Sequence, residues 1–415
     1  MFPSRRTKPG GLATGGGAGF RDEYSLAFDG TNEYIVCDEV TYSNDITISA
    51  WVKPNFDNST STIKTIISVG GQSVAADASF FWMYIQDDDF RVQNANTNAD
   101  EYSNSRFDNM HESEDYNKWT HWVVVWDISE SLVAKVYKNG VDLGSANSVT
   151  NPGAANAATD ARVSIGMYYN LSSHPWGGNI SEIAIYDKVL SASQVATLYN
   201  GREPYNHKEG IATANLKAWY RMGDGALDGY PLITDSSTTT SLGTDLIPNS
   251  TCDDNITGWS DYSSGAVSHE TSITYSGSGA LRCTFDGNNH WGGMTTDNIA
   301  SVQADTLYLV EAWIYIPSGY DGGPCYLSDG TGFTNATAEE HLKADENITN
   351  EWQYTRLMFR TLDGTTGKLY VRTSGSDPSD TKYVIVDNIT MRPVTGGNPG
   401  HTYNMATDNF EGDTP

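Results

Sequence analysis

From residue 24 onward the chain is written in period two. In ITISAWVKP (46–54), Ile46, Ile48, Ala50 and Val52 fall on one side, and Pro54 ends the run. Two residues is the side-chain repeat of a β-strand, whose successive Cβ atoms point to opposite faces, so this stretch predicts a strand with one core face. SLAFDG (25–30), YIVCD (34–38), TIISVGG (65–71) and SFFWMYIQDD (79–88) continue the series. WTHWVVVWDIS (119–129) is apolar on both sides and predicts a central, buried strand. AKVYKNG (134–140) ends in Asn139-Gly140, a hairpin-turn signal; ARVSIGMYY (161–169) and GNISEIAIYDKVL (178–190) close the series. Ser191 and Gln194 form a capping box before VATLYN, predicting one short helix capped at Gly201.

A second β series follows: ALRCTF (280–285), TLYLVEAWIYIPSG (306–319), EWQYTRLMFRT (351–361), GKLYVRTSG (367–375) and KYVIVDNITMRP (382–393). The chain has 415 residues, too many for one sandwich and enough for two. The expected fold class is all-β: two antiparallel β-sandwich (jelly-roll) domains in tandem with an extended N-terminal arm. The expected boundaries are an arm at 1–21, a first sandwich at 22–205, a connector at 206–244, a second sandwich at 245–394 and a peripheral tail at 395–415.

Charge narrows the partners. The net charge is −27, which disfavours phosphate backbones and anionic membranes and leaves carboxylates free for cations. Residues 1–21 hold Arg5, Arg6, Lys8 and Arg21 and no acid, so the remainder carries −27 − 4 = −31. A basic, Gly-rich arm on an acidic chain fits docking onto an assembly; a plain disordered terminus is the alternative. No run approaches 18 apolar residues, and GLATGGGAGF lacks the apolar core of a secretion signal, so neither membrane insertion nor a secretory route is expected. Cys37, Cys252, Cys283 and Cys325 are too few for a disulfide framework, and free thiols are expected.

No catalytic constellation is visible. The sole Glu-x-Asp is Glu411-Gly-Asp413 at the C-terminus, and no His, Cys or Ser spacing suggests a zinc site or nucleophile elbow. Aromatics offer more, because sugars stack on Trp and Tyr faces. Trp176, with Tyr168 and Tyr169, is the glycan-binding candidate of the first domain. Trp291, with Asn289 and with Tyr326 behind it, is that of the second. The competing reading for each is a packed aromatic. Trp51, Trp122, Trp126 and Trp313 lie within apolar strand patterns and are expected in the core.

The ordered segments SLAFDGTNEYIV, DITISAWVKP, TIISVGG, WTHWVVVWD, KVYKNGVDLG, VSIGMY and GNISEIAIYDKVLSASQVATLYNG resemble the laminin-G-like, concanavalin A-like family across about 24–201. The resemblance implies a jelly roll of two curved sheets, used for glycan binding or as a spacer. Ser181 stands before Glu182 where the family often has Asp, which removes an implied cation ligand. LIPNSTCDDNITGW, YSGSGALRCTF, TLYLVEAWIYIPSG and YVIVDNITM, spanning about 245–394, resemble carbohydrate-binding modules of the galactose-binding-like kind. That resemblance implies a structural Ca2+ on Asp253 or Asp254 with Asp387; no other cofactor is expected. Tailed-phage virions often display such domains. The resulting expectation is a non-enzymatic virion surface protein, a head decoration or cement protein docked through Arg5, Arg6, Lys8 and Arg21. Its expected partners are capsid or other virion proteins, copies of itself in a homo-oligomer, and cell-surface glycans. A tail-fibre or adhesin-type lectin for host polysaccharide is the alternative.

Overall fold

The computed structural model describes residues 20, 22–41, 45–57, 62–70, 80–95, 102–127, 133–150, 161–289, 291–330, 333, 340–361 and 366–415. Arg5, Arg6, Lys8 and Arg21 lie outside the described residues. The chain is nearly all β and divides into two compact units: residues to Thr240 together with Gly396–Pro415, and Ser241–Thr395.

The first unit has two antiparallel sheets. Strand Asp45–Pro54 sits between Thr120–Asp127 and Gly177–Tyr186. Its predicted inner face, Ile46, Ile48, Ala50 and Val52, is wholly buried. Val123, Val125, Ala184 and Tyr186 of the neighbouring strands pack in one cluster with Val195 and Leu198 of helix Ala192–Tyr199, which explains the two apolar faces of Thr120–Asp127. Ser191 Oγ accepts the Gln194 N–H (3.3 Å), and Gln194 Oε1 accepts the Ser191 N–H (2.9 Å). Asn139 (φ 51°) and Gly140 (φ 77°) make the predicted hairpin turn.

The second sheet of this unit corrects two boundaries. Its strand order runs Ser148–Thr150, Tyr102–Phe107, Asp89–Ala95, Phe80–Gln86, Lys64–Gly70, Ala161–Ile165, Tyr34–Val40, Gly400–Tyr403, Leu232–Ile233. The expected connector (206–244) thus supplies Leu232–Ile233 here and Leu216–Tyr220 to the other sheet. The expected tail (395–415) supplies Gly400–Tyr403 here and Phe410–Glu411 opposite Ser25–Asp29. Asp235 locks the two together: its carboxylate accepts the N–H groups of Trp219 (2.9 Å) and Asn398 (3.0 Å). Leu232–Ile233, Gly400–Tyr403 and Phe410–Glu411 are too short to show a period, and their partners lie far away in sequence, as in Tyr34↔Tyr403.

In the second unit the path runs Cys325–Asp329, Leu369–Thr373, Gly293–Thr296, Trp259–Tyr262, Gly265–Glu270, Ala280–Phe285, Tyr383–Thr395, Leu307–Tyr315, Trp352–Arg360, Glu340–Leu342. Trp259–Tyr262 and Gly265–Glu270 share a single register pair, Tyr262↔Gly265. The strands on either side of that hinge contribute to one core, with Met294, Leu327 and Val371 from one layer and Leu281, Val310, Ile314, Leu357 and Val386 from the other. All four cysteines are free and buried.

Candidate functional site

Four neighbouring strands of the second unit build an aromatic face. Asp261↔Met294↔Val371↔Leu327 form one row, whose Met294, Val371 and Leu327 are buried in the core. The adjacent row, Tyr262↔Gly293↔Arg372↔Tyr326, therefore faces away from the core. Tyr370 and Ser328 lie one step further along the same face, and Trp291 extends it two residues before Gly293. Gly293 leaves a gap in the row: a Cβ there would sit 2.1 Å from the Val371 carbonyl oxygen.

The Arg372 guanidinium lies at the middle, 5.2 Å from the Trp291 ring, 5.5 Å from Tyr326 and 5.7 Å from Tyr370. Tyr262 stacks on Tyr370 at 4.3 Å, His341 meets Tyr326 edge-on at 5.1 Å, and Lys343 Nζ lies 4.8 Å over Tyr326. Trp291 is 43% exposed, whereas Tyr326 and Tyr370 are 5% and 8% exposed under their cationic neighbours. Trp291 and Tyr326, both singled out in sequence, are thus brought together. Asn289 sits beside them as a support rather than a contact. Its Oδ1 accepts the Trp291 N–H (2.9 Å) and its Nδ2 donates to Ser263 Oγ (3.0 Å), which fixes the turn that presents Trp291. Sequence reasoning missed Tyr262, Tyr370 and Arg372, although Tyr370 and Arg372 alternate with the core residues Leu369 and Val371.

The first unit is arranged differently from expectation. Trp176 is fully buried, edge-on to Phe56 at 5.1 Å, so it offers no platform. It directly precedes strand Gly177–Tyr186, and its N–H donates to Gly166 O (2.8 Å), which turns the ring inward. Tyr168 and Tyr169 are half-buried, 4.3 Å apart, and belong to an aromatic stack that the sequence did not suggest. Trp82 rests 4.2 Å from Tyr168 and 3.9 Å from Tyr84, and its Nε1 donates to Thr65 Oγ1 (3.1 Å). Phe81, Met83 and Ile85 of that strand point inward, so Trp82 and Tyr84 point outward.

Trp313 also departs from expectation. It is half-buried on an outer face, stacked on Tyr275 at 4.0 Å, because its neighbours Ala312 and Ile314 take the core positions. The candidate calcium ligands converge on the turn that carries Tyr275. Asp387, fully buried, accepts the N–H groups of Tyr275 (2.8 Å), Ser276 (3.1 Å) and Asn388 (2.7 Å). Asp253 accepts those of Ser278 (2.5 Å) and Gly279 (3.3 Å), and the Ser278 bond holds its carboxyl below its ordinary value. Both carboxylates thus act as acceptors for backbone donors and tie down residues 275–279. Asp254 is exposed and takes no part. Among the described residues no group of three or more His, Cys, Asp or Glu could hold a metal ion.

The Glu-x-Asp near the C-terminus is structural. Glu411 Oε2 accepts Asn179 Nδ2 (2.7 Å), and Asp413 pairs with Lys53 and accepts Trp119 Nε1 (3.1 Å). A second acidic group went unseen in sequence. A bulge between Ser181 and Ala184 puts Glu182 at φ +51° and buries its carboxylate, which accepts Trp219 Nε1 (2.5 Å) and Arg221 Nε (3.2 Å). Asp22 faces it, raised well above its ordinary value by burial and by the charges of Glu182 and Asp224. Ser181, where a cation ligand was expected to be lost, is buried and donates to Tyr24 O (3.4 Å).

Residues 29–196 match a family model described as concanavalin A-like lectin/glucanases superfamily, and residues 244–381 match one described as carbohydrate binding domain. Comparison with curated proteins gives no match. Among solved structures, the chain is similar to a CBM22-1 xylan-binding domain from Paenibacillus barcinonensis, with 12% identity over 38% of this chain and 98% of that one and a TM-score of 0.28. It is also similar to a heptameric SAP-like pentraxin from Limulus polyphemus, with 18% identity over 43% of this chain and 82% of that one and a TM-score of 0.31.

Proposed function

Because the chain carries a concanavalin A-like domain followed by a carbohydrate-binding domain, we propose that it is a non-catalytic glycan-binding protein whose main contact is the Trp291 face of the second unit. The observation that carries this is an exposed Trp291 ring beside Tyr326, Tyr370 and Tyr262, all on one outward row of strands. Sugar C–H faces stack on the exposed Trp291 ring. Tyr168 and Tyr169 offer a smaller contact in the first unit. The test is a glycan array with the full chain and its Trp291→Ala variant. Loss of a stacked ring costs about 1–2 kcal/mol, or about tenfold in affinity. Array binding that is the same for both proteins removes Trp291 from the reading.

A second reading concerns where that binding is used. Display on a virion surface, docked to capsid or other virion proteins through residues 1–21, is supported by the arm's charge of +4 against −31 elsewhere. It is also supported by the anchoring at the end of the arm, where Phe20 lies 5.8 Å from Trp219 and under the Arg221 guanidinium at 4.6 Å. Deleting residues 1–19 tests it: particles that still incorporate the shortened protein rule out docking through the arm.

A further inference from the structure

We infer that the Trp291 face selects anionic glycans, sugars bearing carboxylate or sulfate groups that Arg372 and Lys343 engage while Trp291 stacks on the ring. This rests on the reading of that face as a glycan-binding site and names its substrate class.

Acids outnumber Lys and Arg by 52 to 25. Arg91, Arg106, Arg221, Arg282, Arg356 and Arg360 each pair with one. Arg372 does not. Among the described residues no carboxylate lies within ion-pair distance of Arg372 or Lys343. The Arg372 guanidinium donates to Ser328 Oγ (2.8 Å), and its buried Nε–H has no acceptor among the described residues. Two cations with no carboxylate partner among the described residues thus flank one ring, Tyr326, in a strongly acidic protein.

Their position decides what can bind. The guanidinium and ammonium lie over Tyr326, and the guanidinium also lies beside Tyr370, which leaves those rings almost fully covered. A neutral sugar that stacked there would have to displace a cation from a π face. Either kind can stack on the exposed Trp291 ring, but only an anionic sugar has a group for the cations beside it. Its carboxylate or sulfate meets the forked donors of Arg372, which match the geometry of a two-oxygen acceptor, while its ring stacks on the exposed Trp291 side chain.

The experiment uses the full chain and two matched pairs of polymers: polygalacturonate with its carboxyl-reduced derivative, and dextran sulfate with dextran. Affinity electrophoresis or calorimetry reads the ratio within each pair, and the two pairs separate carboxylate from sulfate as the recognised group. The anionic member of at least one pair should bind at least about tenfold more tightly, the size expected of a charge-assisted hydrogen bond. Arg372→Gln should bring that ratio close to one; Lys343→Gln should lower it in part. Trp291→Ala should weaken both members. Equal or better binding of the neutral polymers, or a ratio unchanged in Arg372→Gln, overturns the inference and leaves the glycan face standing. Binding to none of the four overturns both. Thermal unfolding of each variant checks that it is folded.

Discussion

The substitution Asp22→Asn should abolish a pH dependence that the fold of the first unit builds in. Both Asp22 oxygens are buried and without a hydrogen-bond donor among the described residues. As a carboxylate, Asp22 would be an unpaired charge facing Glu182 and Asp224; as an acid, it supplies the missing hydrogen itself. Glu182 is itself raised by burial, to about 7, against the pull of Arg221 and the Trp219 N–H; with a donor at position 22 in parent and variant alike, its contribution is common to both. The folded Asp22 pKa therefore lies above its unfolded value near 3.8. Its stabilising contribution is complete below about pH 4 and is lost as pH rises toward the folded pKa, because the native state keeps a proton that the unfolded chain releases. One proton corresponds to about 1.4 kcal/mol per pH unit. His121 and His207, held neutral by burial, contribute with the opposite sign below about pH 6.5, so the variant is compared with the parent at each pH and their effects cancel. Asn keeps the shape and a donor to Glu182 without the proton. Calorimetry at pH 5, 6 and 7 should show the parent losing about 1.4 kcal/mol per unit relative to Asp22→Asn. A difference independent of pH would show that Asp22 is ionised in the native state and takes up no extra proton on folding, which refutes the proton retained on it.

Truncation after Asn398 should destabilise the first unit by on the order of 3–5 kcal/mol or more, since it removes the buried Tyr403 and Phe410 and two strands; chemical unfolding with a parent-like midpoint would contradict the topology. Asp387→Ala strands three backbone N–H groups at about 1–3 kcal/mol each and should free the 275–279 turn to proteolysis, while an unchanged cleavage pattern and melting temperature would mean the turn is held by other contacts. Gly293→Ala should distort the aromatic face and reduce glycan affinity along with stability, because its Cβ has no room beside Val371; wild-type binding would show that the gap is dispensable.

The sequence by itself determined the longer periodic strands such as Asp45–Pro54 and Thr120–Asp127, the inward face of Asp45–Pro54 and the hairpin and helix signals, because period two, Asn139-Gly140 and the Ser191–Gln194 box are local chemistry. It picked out Trp291 and Tyr326 as candidates, because an aromatic beside polar turn residues can be read along the chain. Tertiary structure decided whatever depends on partners far apart. Gly400–Tyr403 became a strand only by pairing with Tyr34–Val40 and Leu232–Ile233, at lengths too short for a periodic signal. Trp176 and Trp313 exchanged their expected places, since one position of strand phase sends a ring into the core or out of it. Asp253 and Asp387 became tethers for backbone amides because the fold delivered a turn to them. Arg372 gained its meaning from what surrounds it. Alone it is one cation among 25, and only the register of four strands sets it among three rings, with no acid to answer it among the described residues.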